Sequence, residues 1–237
     1  MFVRYKTQGI IVKKDDWKEA DRFFTVYTKD FGKIKILGRG IRKISSKLKS
    51  GMETFYFSEI EFIQGETYKT LVDAILIDKF EKLRIDLKKT VIAYRILGIF
   101  DDLIQGQEKD EKVWNLLLGS LRDLNDQENY KIVYYRFFWN LLSLLGYTPN
   151  LYCCSICQNK LEYKKNYFDL EEGGIICSDC FDKKKKGREI NPDLIKILRV
   201  LLQDKKLAFN LKINQDQVSL LKELSQDYLS SFINKHE

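Results

Sequence analysis

DRFFTVYTKDFGKIKILGRGIRKISSKLK, residues 21–49, reads as two short strands around a tight turn, followed by a cation-rich loop. Arg22 to Thr28 and Lys33 to Leu37 are rich in β-branched and aromatic residues, and Asp30-Phe31-Gly32 supplies the turn between them. Outward from this hairpin the same texture continues. Gly9 to Lys13 precedes it, while Phe55 to Ile63 and Lys69 to Ile77 follow it, with Gln64-Gly65-Glu66 as a second hairpin-like connection. Five short strands within about eighty residues suit a small closed barrel, and the OB-fold has that strand count.

From Glu81 the apolar period becomes helical. The series are Leu83, Leu87, Val91, Tyr94; Val113, Leu116, Leu117, Leu121, Leu124; and Val133, Phe137, Leu141, Leu144, Leu145. The third ends at Gly146, with Pro149 preventing continuation. Asn191-Pro192 then caps a helix carrying Leu194, Ile197, Leu198, Leu201 and Leu202, and a last helix runs from about Asn214 to Phe232. No helix sustains a long heptad pattern, so the sequence predicts a packed bundle whose apolar stripes are mainly core. The fold class is α+β: an OB-type barrel over 1–80, then a helical domain over 81–237 with a cysteine-bearing module inserted at 150–187.

The chain has 237 residues and a formal net charge of +7. Eight cations stand between Lys29 and Lys49 (Lys29, Lys33, Lys35, Arg39, Arg42, Lys43, Lys47, Lys49), against the single acid Asp30, so the rest of the chain is close to neutral. A local positive surface of this kind neutralises phosphates and releases their counterions. Gly38, Gly40, Ser45 and Ser46 punctuate the run and let backbone approach a polyanion closely. Arg39, Arg42, Lys43 and Lys47 are the leading phosphate contacts, with Arg22, Lys33, Lys35 and Lys49 behind them. Phe23, Phe24, Tyr27, Phe55, Tyr56, Phe57 and Tyr68 offer stacking platforms for unpaired bases, but strand alternation turns about half of such rings inward, so none is promoted to a site.

Met1 to Gly9 carries Arg4, Lys6 and Gln8, unlike a signal peptide or a membrane span, so a cytoplasmic protein is expected; the lone His236 is read as solvated. In a reducing compartment clustered cysteines point to metal. Cys154-x-x-Cys157 and, nineteen residues on, Cys177-x-x-Cys180 form two knuckles able to direct four thiolates at one ion, with Gly173-Gly174 helping the second pair fold back. Zinc is the default, as a closed structural shell; iron, redox chemistry or an empty remnant are the other readings. Cys153 is the odd cysteine, a bystander that competes with Cys154 at most. With no His-Glu-x-x-His, no Walker loop and no open metal position, a hydrolase reading has little support, and no catalytic residue is assigned.

Several motifs, taken in order, resemble the bacterial RecO family. They are Glu19-Ala20-Asp21-Arg22, Asp30-Phe31-Gly32-Lys33, Gly38-Arg39-Gly40-Ile41-Arg42-Lys43 and Ser46-Lys47-Leu48, then Leu144-Leu145-Gly146-Tyr147-Thr148-Pro149 leading into Cys154, Phe168-Asp169, and Gly173-Gly174-Ile175-Ile176-Cys177. They span about residues 5 to 180. Gly51-Met52-Glu53 stands where that family often has a proline. The resemblance implies an OB-fold, a helical domain and a zinc module that some members lack. It further implies binding of single- and double-stranded DNA, strand annealing, and work at the nucleoid with RecR, the C-terminal tail of single-stranded DNA-binding protein and, indirectly, RecA. A zinc-ribbon RNA-binding or transcription-associated factor is the alternative.

Overall fold

The computed structural model describes residues 3–162, 165–203 and 205–233; His236 lies outside them. They form two compact units, one extending to Phe138 and one beginning at Trp139.

The first unit opens with β1 (Arg4–Trp17), β2 (Asp21–Thr28), β3 (Gly32–Gly38), a single 3-10 turn (Lys47–Gly51), β4 (Phe57–Gln64) and β5 (Lys69–Asp78). The strands close into a barrel in the order β1-β2-β3-β5-β4, with β4 returning to β1. Only β3 and β5 run parallel, joined at Ile36 with Lys69 and Leu37 with Thr70. This is the connectivity of the OB-fold. β1 is far longer than its apolar centre suggests because it pairs with both β2 and β4 and bends at a bulge between Ile11 and Lys13. The bulge lets Ile10, Ile11 and Val12 all be buried, which a regular alternating strand forbids. Phe24, Val26, Ile34, Ile36, Ile60 and Phe62 fill the interior with Ile41 and Met52 from the long β3–β4 connection.

The expected strand start at Phe55 moves to Phe57. Phe55 has φ +73 and exchanges backbone contacts with the bulge, its N–H donating to the Ile11 carbonyl at 3.0 Å and Ile11 N–H donating to Tyr56 at 3.0 Å.

Beyond the barrel lie α1 (Glu81–Ile85), α2 (Leu87–Leu103), α3 (Glu111–Asp126) and α4 (Tyr130–Leu144), within which the boundary between the units falls. The single helix expected from Glu81 is broken at Asp86, whose extended backbone and side chain cap α2 by accepting from the N–H groups of Lys88 (2.8 Å) and Lys89 (3.3 Å). The expected core stripe on α2 is also corrected. Leu87, Val91 and Tyr94 are exposed, and Ile92, Ala93, Ile96, Leu97 and Phe100 are the buried face. Tyr27 of β2 packs on Phe100 (ring centroids 4.8 Å), and Phe57 of β4 meets Trp114 of α3 (6.0 Å).

The second unit carries the small sheet β6 (Asn166–Asp169), β7 (Gly174–Cys177) and β8 (Arg188–Ile190), ordered β7-β6-β8, with α5 (Ser178–Lys184) between β7 and β8. α6 (Pro192–Gln203), α7 (Lys205–Phe209) and α8 (Gln215–Ile233) follow. Both anticipated helix starts hold. Asn191 Oδ1 accepts from Asp193 N–H at 2.8 Å, while Asn214 and Gln217 form a reciprocal box at 2.8 and 3.0 Å. At the end of α4, Gly146 has φ +94, and Tyr147 N–H donates to the Leu142 carbonyl at 2.9 Å.

Candidate nucleic-acid interface and metal centre

The basic loop leaves β3 at Gly38 and is fixed at its root. Gly40, at φ +60, donates its N–H to Asp21 Oδ1 at 2.7 Å; Ile41 is buried in the barrel; Arg42 N–H donates to the Ala20 carbonyl at 3.0 Å. The loop is thereby held against the β1–β2 turn. Past this anchor Arg39, Arg42, Lys43, Lys47 and Lys49 are all exposed. Among the described residues, Arg39, Lys43, Lys47 and Lys49 form no ion pair. Arg42 reaches Asp16 Oδ2 at 3.6 Å and donates to the Lys18 carbonyl at 3.3 Å.

The other three candidate contacts sit differently. Arg22 is half-buried and gripped by Asp16 at 2.6 Å, and its hydrogen bond holds that carboxyl below the usual range, helped by the charges of Arg22 and Arg42. Lys33 is turned toward α2: its side chain is 15% exposed and bonds to Asp101 Oδ1 (2.8 Å) and to the carbonyls of Asp101 and Ile104 (2.6 Å each). Lys35 is exposed and lies over the ring of Phe23 at 4.6 Å. Of the aromatics noted in the sequence, Phe23, Phe24, Tyr27, Phe55 and Phe57 are buried, Tyr56 is half-buried and Tyr68 is exposed. Trp17, which the strand pattern did not single out, is exposed as well. Its position as the last residue before a turn was the available signal.

In the second unit the sulfurs of Cys154, Cys157, Cys177 and Cys180 all lie within 4.8 Å of one another. Cys157 and Cys177 are 3.8 Å apart, and sulfurs about 2.3 Å from a tetrahedral zinc are separated by about 3.8 Å. The first knuckle is a turn after Leu151, and the second straddles the end of β7 and the first turn of α5. Gly174 makes their approach possible: a Cβ there would lie 2.7 Å from the backbone N and O of Asn150, on the segment that leads into the first knuckle. Ser155 N–H donates to the Ile175 carbonyl at 2.8 Å, tying the two together.

Burial opposes ionisation of Cys154, yet the N–H groups of Cys157, Cys177 and Ile156 overcome it and bring that thiol down to about 6. Burial and hydrogen bonds from the neighbouring cysteines push Cys180 up to about 12 and raise Cys177. Four thiols brought this close are able to hold a metal cation, whose charge would favour the thiolate at every position. Cys153 is not part of the quartet and lines a cavity of about 550 Å³ with Tyr152, Lys160 and Arg199.

An OB-type barrel with an exposed cation-rich loop, continued by helices and a four-cysteine cluster able to hold a metal ion, defines the class of protein to be matched. The family model described as Recombination protein O N terminal matches residues 1–80, and Recombination protein O C terminal matches residues 84–236. The chain belongs to the RecO family. DNA repair protein RecO of one Dehalococcoides mccartyi strain is 32% identical over 218 residues, covering 92% of this chain and 86% of that protein. The RecO proteins of a Roseiflexus species (29%, covering 98% and 82%) and of Acetivibrio thermocellus (28%, covering 98% and 92%) are similar along nearly their whole length. No described helix is long and apolar enough to cross a membrane.

Proposed function

We propose that this chain is a non-enzymatic mediator that binds single- and double-stranded DNA along the rim of its barrel, anneals complementary strands and helps load recombinase together with RecR. The observation that carries this reading is the row of exposed loop cations, Arg39, Lys43, Lys47 and Lys49, held on a fixed root and without a carboxylate partner among the described residues. Charges free of internal partners gain most from phosphate, because each contact releases a counterion without breaking an existing pair. Such contacts are sequence-tolerant and reversible, as annealing requires. Arg39, Arg42, Lys43 and Lys47 lead the interface; Arg22, Lys35 and Lys49 extend it, and Lys33 adds charge while tying the barrel to α2.

The metal is a structural Zn²⁺ held by Cys154, Cys157, Cys177 and Cys180; four thiolates saturate it and leave no position for a reactive water. The functional division is a barrel over 1–80 and a helical domain over 81–237 carrying the zinc module at 150–187. The further partners are the C-terminal tail of single-stranded DNA-binding protein and, through RecR, RecA, with the nucleoid as the place of work.

The test is annealing of complementary oligonucleotides across a salt series, comparing the natural chain with a variant neutral at Arg39, Arg42 and Lys43. With about six phosphates neutralised, log K falls with log salt at a slope of about −4 on single strands, and the variant's slope is shallower by about 2. Absence of annealing at low salt in the natural chain sinks the proposal and brings an RNA ligand forward.

A further inference from the structure

We infer that unpaired bases stack on Trp17 and Tyr68, which form an aromatic platform on the barrel separate from the basic loop; this rests on the single-strand binding proposed above. The two rings come from different turns. Trp17 ends β1 where the β1–β2 turn begins, and Tyr68 closes the β4–β5 turn, its carbonyl accepting from Gly65 N–H at 3.1 Å. Both flank Phe23 of β2, with ring centroids at 5.4 Å for Trp17 and 5.1 Å for Tyr68. Phe23 is buried, whereas Trp17 and Tyr68 are each 43% exposed. An aromatic that merely sealed the barrel end would be covered as Phe23 is. These two are tilted at 64° and 67° to Phe23 and are not stacked on it.

The surroundings supply what a single strand needs besides a ring. Lys35 sits 4.6 Å from the Phe23 centroid. In OB barrels the face of the second and third strands, framed by the β1–β2 and β4–β5 turns, is where oligonucleotides lie. Here β2 carries Phe23, β3 carries Lys35, and the two turns carry Trp17 and Tyr68. Aromatic faces accept any base, so the platform adds affinity for unpaired strands without sequence preference.

The natural chain provides its own probe, because its other tryptophans, Trp114 and Trp139, are buried. Tryptophan emission is followed while the full chain is titrated with oligo(dT) and with an abasic oligonucleotide of equal length and charge. Quenching by oligo(dT) but not by the abasic strand is expected. Trp17→Ala and Tyr68→Ala each weaken oligo(dT) binding by about tenfold and leave abasic binding unchanged, while Trp17→Phe and Tyr68→Phe keep most of the affinity. If oligo(dT) and the abasic strand bind equally and without quenching, the platform is overturned and the charge-based reading survives. If neither strand binds at low salt, both fall together. Because quenching is read on the natural chain, a variant that folds poorly does not blunt the test.

Discussion

The chain has two cation runs, and the one that looks stronger in the sequence is the one in which the fold pairs four of the five cations with carboxylates. Lys183, Lys184, Lys185, Lys186 and Arg188 pack five cations into six residues, against five in eleven for Arg39 to Lys49. Yet Lys184 meets Asp169 and Glu172 at 2.9 Å each and Glu171 at 3.5 Å, Lys186 meets Glu171 at 2.8 Å, and Lys185 meets Asp182 at 3.0 Å. Arg188 reaches Glu223 at 2.6 Å and Asp227 at 3.6 Å. Among the described residues, the ion pairs of the basic loop come down to the long contact from Arg42 to Asp16. Density along the chain therefore says little about a polyanion site; what matters is whether the fold brings carboxylates to the same place. One run closes the metal module and the other faces outward.

The largest effect expected concerns the module's centre. Cys154→Ala or Cys177→Ala should lose bound metal and several kcal/mol of stability together, read by metal analysis and thermal unfolding of the same sample. Stoichiometric metal retained in either variant would remove the four-thiolate shell. Next, Asp169→Asn leaves Lys184 short of its deepest partner. Asp169 is 2% exposed and the Lys184 side chain 22%, so about 3 kcal/mol of destabilisation is expected in urea unfolding, with DNA affinity of the folded fraction unchanged.

This pair also has a pH signature. Burial works against the Asp169 carboxylate, but the hydrogen bond from Lys184 and the N–H groups of Glu172 and Glu171 outweigh it, so its folded pKa lies below the ordinary value. A depressed carboxyl contributes stability that is complete above its unfolded pKa and is lost as pH falls through the folded one. The natural chain should accordingly lose this contribution below about pH 4, and the Asn variant should show a flatter acid limb. Equal acid limbs would mean that the pair is not formed in solution.

On the other side of the comparison, neutralising Arg39, Arg42 and Lys43 should cost roughly a hundredfold in single-strand affinity near 0.1 M salt, with stability changed by less than about 0.5 kcal/mol. The smallest effect sharpens the contrast most. Lys185→Gln with Lys186→Gln and Arg188→Gln removes as much formal charge from paired positions, yet should alter DNA affinity less than about threefold and stability by no more than about 1 kcal/mol. A loss matching that of the loop variant would collapse the distinction between paired and unpaired cations.

Local signals in the sequence carried the barrel strands, the helix ends at Gly146, Asn191 and Asn214, and the cysteine quartet, because each is written within a few residues. The lost features depend on distant partners. Lys33 and Lys35 are two residues apart on one strand, yet one is tied to Asp101 and the other lies over Phe23. The carboxylates that silence the 183–188 run come from β6, the β6–β7 turn and α8 as well as α5. The strands β6 to β8 are three or four residues long, too short for a period to register. On α2 the apolar residues ring most of the helix, so periodicity could not choose between the face with Leu87 and Val91 and the one with Ile92 and Ile96.

The parallel seam between β3 and β5 rests on two residue pairs, while every other junction of the barrel is a long antiparallel ladder. The fewest residue pairs close the barrel along this seam, between Ile36 and Leu37 on one side and Lys69 and Thr70 on the other. The basic loop starts one residue past Leu37, at the end of β3, and Tyr68 directly precedes Lys69. A strand bound across both would span that seam like a splint, coupling the grip on a ligand to the rigidity of the barrel beneath it.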